Sequence, residues 1–377
     1  MNPKPAAKLL RELIALPSVN PAFAPPKDPR AGEGRVADFL ADAAHRAGLD
    51  VFWQEVSPGR RNLLAALTPA GEVKHRILLA PHLDTVNGAP HQFKPVLKNG
   101  RLHGRGACDT KGCVATYFAT LTALAQHGPR PAHTEIIFAG LVDEENGQTG
   151  SRALAKSPVK ADLAIVGEPT RCGIVTAHKG DLWLRLETRG RSAHGARPEL
   201  GRNAVHAMAR VVQALEVDYA ASLRRRRHPL LGHATVNVGT IRGGVQANIV
   251  PDHCEIIIDR RTLPDETQAG VHREIKTLLR RHGLKATIAD TKDALCPALE
   301  TDPSQPLVRQ LLRAAGQSRP LGVDYFCDAA ILSNGGTPSI VFGPGDIAQA
   351  HTADEWIALS QLDRATAILR RFLLSLP

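Results

Sequence analysis

The chain has 377 residues, which at ~150 residues per domain excludes a single small module and predicts two to three domains. Charged residues make up 22% and hydrophobic residues 43%, the balance of a globular protein and not of a disordered one. The formal charge of +10 favours anionic partners, either nucleic acid or small acidic substrates. No apolar run approaches the ~20 residues of a membrane span. Arg11 and Glu12 interrupt the apolar start, so it reads as an amphipathic helix and not as a signal peptide. The six cysteines form no C-x-x-C pair, and reduced thiols in a cytoplasmic protein are the expectation.

In chain order, residues 5–16 have helical apolar spacing, and Pro17 and Pro21 stop that helix. A second helix is predicted over 35–47, ending near Gly48, then β-rich runs at 51–56 and 62–67. Ile77-Leu78-Leu79-Ala80 is continuous and apolar, as in a strand covered on both faces. Gly112 to Gln126 reads as a helix, Ile136 to Val142 and Leu163 to Val166 as further buried strands. Strands alternating with helices predict an α/β fold, a mostly parallel sheet with helices on both faces. After about residue 178 the pattern changes. Leu182, Leu184 and Leu186 alternate with polar residues, which suits a sheet with one wet face. A helix at 202–217, strands at 234–241 and 253–260, a helix at 266–282 and a strand at 284–289 complete a β-α-β-β-α-β, ferredoxin-like α+β unit. From 306 the α/β character returns: helix 306–315, strand Ser339 to Phe342, helix 354–374. The reading is one catalytic domain (1–177 and 292–377) interrupted by an inserted lid domain (178–291).

Five short segments carry chemistry, four of them just after a predicted strand: Pro81-His82-Leu83-Asp84, Cys108-Asp109-Thr110, Asp143-Glu144-Glu145, Gly167-Glu168-Pro169 and Ala350-His351-Thr352. In open α/β sheets ligands bind beyond the carboxyl ends of the strands, where these segments would converge. Two histidines and several carboxylates, without a thiolate, suit Zn²⁺, Co²⁺ or Mn²⁺. A pair of such ions ~3.5–4 Å apart would need a bridging carboxylate. Asp84, two residues from His82, is placed to hold that ring's other nitrogen. Of Glu144 and Glu145, one can ligate while the other stays free as a general base. Singly, each segment has a plain structural reading; His351 directly before Thr352-Ala353-Asp354-Glu355 also fits a helix capping box. The case rests on all five together.

Taken together the five segments resemble those of the dinuclear-zinc amidohydrolases and exopeptidases, from the first helix to the last and including the inserted unit. The resemblance implies two divalent ions, Zn²⁺ first and Co²⁺ second. It implies His82 and Glu168 on one ion, Glu145 and His351 on the other, and Asp109 bridging both, with the peptide after Asp109 often cis. It makes Asp84 the orienting carboxylate and Glu144 the base. In the lid, Arg191-Ser192-Ala193-His194-Gly195 resembles a segment whose histidine reaches the substrate carbonyl across a dimer interface, which implies a homodimer. Ala247-Asn248-Ile249 and Asp259-Arg260-Arg261-Thr262-Leu263-Pro264 resemble family segments that place Asn248 and Arg261 beside the substrate. The guanidinium of Arg261 suits a carboxylate, which backbone amides around Gly336 would also hold. The implied reaction is hydrolysis of an N-acyl amino acid. The loop ending Cys327-Asp328-Ala329 resembles the acetylornithine deacetylase version, where Asp328 would suit a cationic side chain; desuccinylase, aminoacylase, dipeptidase and carboxypeptidase activities are the alternatives. The run Arg224-Arg225-Arg226-Arg227 lacks interleaved aromatics and reads as a solvated loop, so neither nucleic acid nor membrane is expected as a partner.

Overall fold

The computed structural model describes residues 4–292 and 294–377, and it divides into two compact units. The first comprises the chain up to Thr176 with Thr301–Leu321 and Cys327–Pro377; the second comprises Ala177–Glu300 and Gly322–Phe326.

The first unit is built on a mostly parallel sheet. Strand His75–Pro81 lies between Thr134–Gly140 and Leu163–Gly167, parallel to both, and Ser339–Phe342 runs parallel to Leu163–Gly167. The hairpin Asp50–Ser57/Arg60–Leu67 extends one edge, with Arg60–Leu67 antiparallel to Thr134–Gly140. Residues of both parities are buried along these strands, which explains their unbroken apolar runs. Leu63, Ala65, Ile77, Leu79, Ile136, Phe138, Leu163, Ile165, Ile340 and Phe342 enter one core with helices Pro5–Ile14, Gly34–Arg46, Lys111–His127, Pro306–Ala315 and Leu359–Leu374. Leu64, Leu78, Ile137, Ala164, Val166 and Val341 are buried on the opposite face. There helix Asp328–Asn334 packs on strands Leu163–Gly167 and Ser339–Phe342, and helix Thr149–Lys156 packs against Asp328–Asn334. Lys111–His127 is apolar nearly all round because it is buried for most of its length.

One predicted helix changes type at its start. Trp356–Ala358, expected inside helix 354–374, is a strand antiparallel to Arg101–His103, and the helix begins at Leu359. Ile357 is buried there against Leu102 across the ladder, a non-local pairing that overrides the helical run. The capping box expected at Thr352–Glu355 therefore has no helix to cap.

The second unit is an antiparallel sheet in the order Thr235–Gly243, His253–Thr262, Gly180–Arg189, Thr287–Asp290, a β-α-β-β-α-β chain order. Leu184, Leu186, Cys254, Ile256 and Ile258 face helices Ala204–Ala214 and Gln268–Arg281 in one core. The helix expected to 217 passes into a π-helical turn, Leu215–Tyr219, before Ala220–Leu223. The unit extends to Glu300 and not to 291, because Lys292 and Cys296 are tied to its first strand: Lys292 Nζ lies 2.5 Å from Asp181 Oδ2, and Asp181 N donates to Cys296 O at 2.8 Å. Residues 322–326 join it as well; Lys179 Nζ meets Asp324 Oδ1 at 2.7 Å. All six cysteines are buried, and none of them is joined in a disulfide. No helix among the described residues is long and apolar enough to cross a membrane.

Candidate metal centre

The parallel strands of the first unit deliver their chemistry at one end. His82 follows strand His75–Pro81, Asp143-Glu144-Glu145 follows Thr134–Gly140, Glu168 follows Leu163–Gly167, and the segment to His351 follows Ser339–Phe342. Asp109 is the last but one residue before helix Lys111–His127, and its peptide bond to Thr110 is cis.

Asp109 lies between two imidazoles. Its Oδ1 is 3.1 Å from His82 Nε2 and its Oδ2 is 3.4 Å from His351 Nε2. Glu168 Oε1 lies 3.9 Å from His82 Nε2, and Glu145 Oε2 lies 3.0 Å from His351 Nε2. Two overlapping groups bring their donor atoms within 4.8 Å of one another: His82, Glu144 and Glu168, and His82, Asp109 and Glu145. All five residues expected as ligands therefore converge, with Glu144 beside them.

The charges follow from this crowding. Burial, then the charge of Glu168, pushes the Glu144 carboxyl well above the ordinary range, and burial does the same to Glu168. Burial would also raise Asp109, but hydrogen bonds from His351 and His82 hold it low. His351 is raised to about 10 by hydrogen bonds to Asp109 and Glu145. Glu145 Oε1 is buried with no hydrogen-bond partner. An orphaned carboxylate oxygen beside two imidazoles and two further carboxylates is a donor set that fits a pair of divalent ions.

A surrounding shell fixes these groups. Asp84, fully buried, lies 3.3 Å from His82 Nδ1 and accepts the backbone N–H of Glu144 and of Glu145, both at 3.1 Å. One carboxylate thus orients an imidazole and aims the Glu-Glu pair. Asn20 Nδ2 donates to Asp84 Oδ2 at 2.7 Å and to Asp143 Oδ1 at 2.9 Å. Arg60 joins Asp143 to Glu33, and Glu33 accepts the N–H of Asp143 at 3.1 Å. Asp143 sits at φ 68°, and these contacts, with Thr149 Oγ1 on its Oδ2 at 2.7 Å, hold it there. Glu355 accepts the N–H groups of Gly106, Cys108 and Asp109 at 2.8 to 3.0 Å and pairs with Arg105 at 2.8 Å. It therefore builds the loop that presents Asp109.

Sequence reasoning missed Asn20, Glu33 and Arg60, which carry no local signal because their partners lie far away in the chain; it picked up Asp143 only as the acid before the Glu-Glu pair and Glu355 only as part of a capping pattern.

The remaining expected residues fall in three places. Asp328 is buried as the first residue of helix Asp328–Asn334; Ser151 Oγ donates to its Oδ1 at 2.5 Å, its Oδ2 has no partner, and burial raises it to about 7. His194, Asn248 and Arg261 belong to the second unit. There His194 bridges to Ile249, its Nδ1 accepts Ala196 N–H at 3.1 Å, and Gly195 N donates to Asn248 O at 2.7 Å, so the two segments run side by side. Arg261 Nε lies 3.0 Å from Asp259 Oδ1. Gly336 departs from expectation. The amides of Gly335, Gly336 and Thr337 donate to Ile331, Ser333 and Leu332, so they close helix Asp328–Asn334 and leave no free donor for a substrate carboxylate.

The chain matches peptidase family M20/M25/M40 over residues 78–375. It is 31% identical over 350 residues to an acetylornithine deacetylase from Myxococcus xanthus, covering 88% of each chain. Among solved structures it is similar to the aminopeptidase PepT from Bacillus cereus, with a TM-score of 0.79 and 23% identity over 98% of this chain and 97% of that one. It is also similar to the Bacillus subtilis YXEP protein, a dinuclear metal-binding peptidase from the M20 family, with a TM-score of 0.70 and 12% identity over 98% and 96%. The match spans most of the chain and contains every residue of the carboxylate–imidazole cluster: the protein belongs to peptidase family M20/M25/M40, a family of hydrolases.

Proposed function

We propose that the protein hydrolyses the amide bond of an N-acyl amino acid, with N-acetyl-L-ornithine as its substrate. The observation that carries the chemistry is Asp109, whose two carboxylate oxygens each face a different imidazole, with Glu168 beside His82, Glu145 beside His351 and Glu144 grouped with His82 and Glu168. Two divalent ions, zinc or cobalt, would be held by His82, Asp109, Glu145, Glu168 and His351, and when bound they acidify water towards a pKa of ~7 and polarise the carbonyl.

The chain's own residues do the rest. Glu144 takes a proton from the attacking water and passes it to the leaving amine; its buried setting favours the protonated form it needs in the second half of the reaction. Asp84 keeps His82 and the Glu144 backbone in register throughout. For the second unit we assign the roles that the resemblance implies: His194 donates to the developing oxyanion, Arg261 holds the substrate carboxylate, and Asn248 lies beside it. The buried, partly unpartnered Asp328 supports a cationic substrate side chain, and so do acetylornithine deacetylase relatives at about this identity. A homodimer is supported by strand Thr235–Gly243, which ends the second sheet with Ile241 exposed.

The test is a panel with the metal-loaded protein: N-acetyl-L-ornithine, N-succinyl-diaminopimelate, N-acetyl-methionine and dipeptides, each with Zn²⁺ and Co²⁺. The reading expects acetate release from N-acetyl-L-ornithine at the highest kcat/KM and its loss in Glu144→Ala. Faster succinate release would move the assignment to the desuccinylase, and no hydrolysis of any amide would overturn it.

A further inference from the structure

The sequence's densest basic run is largely a distraction. Within Arg224–Arg227, Arg226 is engaged by Glu274 at 2.6 Å and by Glu266 at 3.0 Å. A stronger concentration appears only in the folded second unit, around an open groove of about 1100 Å³. Helix Gln268–Arg281 contributes Arg273, Lys276 and Arg280, at spacings of three and four that place them on one face. Helix Ala204–Ala214 adds Arg210, the residue before its cap adds Arg202, and the turn before strand Thr287–Asp290 adds Lys285.

All six are exposed, and among the described residues none is paired with a carboxylate. Arg202 reaches only Gly190 O at 3.5 Å and Arg280 only Thr277 Oγ1 at 3.2 Å. The one acid in the lining, Glu187, is taken by Arg189 at 2.9 Å. Six unneutralised cations around one concavity repel one another and focus a positive potential into it, which an anion relieves. Guanidinium forks match phosphate oxygens in pairs, while the ammonium groups act as point charges. No Phe, Tyr or Trp lines the groove, so nothing is available to stack on a base.

We propose that this groove binds a compact oligophosphate, three or more linked phosphates recognised by charge alone, whether free or carried by a nucleoside. None of its residues belongs to the cluster around His82 and His351, which lies in the other unit.

The experiment is calorimetric titration of the full, metal-loaded protein at low ionic strength with tripolyphosphate, ATP, orthophosphate and a short RNA duplex. Tripolyphosphate also chelates, so the double variant Arg273→Glu/Lys276→Glu, with the metal cluster untouched, is titrated in parallel and only the difference in heat counts. The proposal expects tripolyphosphate and ATP to bind alike, about tenfold or more tighter than orthophosphate, and ever more weakly as salt rises. It expects the double variant to lose about tenfold or more in tripolyphosphate affinity, with N-acyl amino acid turnover and melting temperature unchanged; Lys285→Glu should weaken binding in the same direction. Equal heats from both proteins, orthophosphate binding as tightly as tripolyphosphate, ATP binding far more tightly than tripolyphosphate, or a preference for the RNA duplex would each overturn it.

Discussion

At the scale of single residues the carboxylate–imidazole cluster is held in place by groups that lie outside it. Glu355 satisfies three backbone N–H groups and one guanidinium in a buried loop. Removing it leaves those donors unpaired at about 1–3 kcal/mol each. We expect Glu355→Ala to lower the melting temperature and to weaken metal binding by roughly 10–100-fold, the scale seen when a partner behind a ligand is lost; a metal titration checks it, and unchanged affinity would show that Asp109 is held by other means. Cys172 tests the packing independently. Burial lifts its thiol from the ordinary 9.0 to about 11. A proton held more tightly in the folded state adds stability below pH ~9 that is lost as the pH rises through about 11. The melting temperature of the wild type should therefore fall more steeply over that window than that of Cys172→Ala, and iodoacetamide at pH ~9 should label the native thiol far more slowly than the unfolded one.

At the scale of elements, helix ends and close approaches decide which substitutions are tolerated. Helix Pro306–Ala315 matches its predicted bounds, with Pro306 at its first position and Gly316 closing it at φ 66°. A methyl group at Gly316 would meet no atom within 4 Å, so only the backbone conformation is at stake. Gly316→Ala should cost ~1 kcal/mol, read as a small shift in denaturation midpoint. Gly150 is the opposite case. A Cβ there would lie 2.4 Å from Val142 O and 2.6 Å from Asn62 Oδ1, at the base of the loop carrying Glu144. Gly150→Ala should therefore cost more than Gly316→Ala and lower kcat as well, because Val142 must move. The elements legible in the sequence were those whose pattern is local: buried strands, capped helices and the alternating strand Gly180–Arg189. Trp356–Ala358 was not, because its strand character comes from a ladder to Arg101–His103, more than 250 residues earlier.

At the scale of the whole molecule, the cluster gathers Asp84, Asp109, Glu144, Glu145 and Glu168 around only two imidazoles. Divalent ions would relieve that concentration of negative charge and stabilise the fold by mass action, ~2.7 kcal/mol at a free metal concentration 100 times Kd. Removal of metal by a chelator should lower the melting temperature by several degrees, and Zn²⁺ or Co²⁺ should restore it together with activity. A chelated protein that melts at the same temperature would show that the carboxylates are neutralised by protons instead.

The sequence alone carried the residue types, their order and their place after strands, which singled out the five segments; the roles given to His82, Asp109, Glu144, Glu145, Glu168 and His351 came from the family resemblance. That information is local: an apolar run fixes a strand covered on both faces, and its carboxyl end fixes where the next polar residue emerges. Tertiary structure decided what each polar group meets. It assigned Glu355 to the Asp109 loop and not to a helix cap, gave the Gly336 amide to a helix end, tied Asn20 to Asp84 and Asp143, and collected six scattered cations around one groove. Hydrogen bonds and charge contacts act over a few ångströms in space whatever the separation along the chain, so no local pattern could report them.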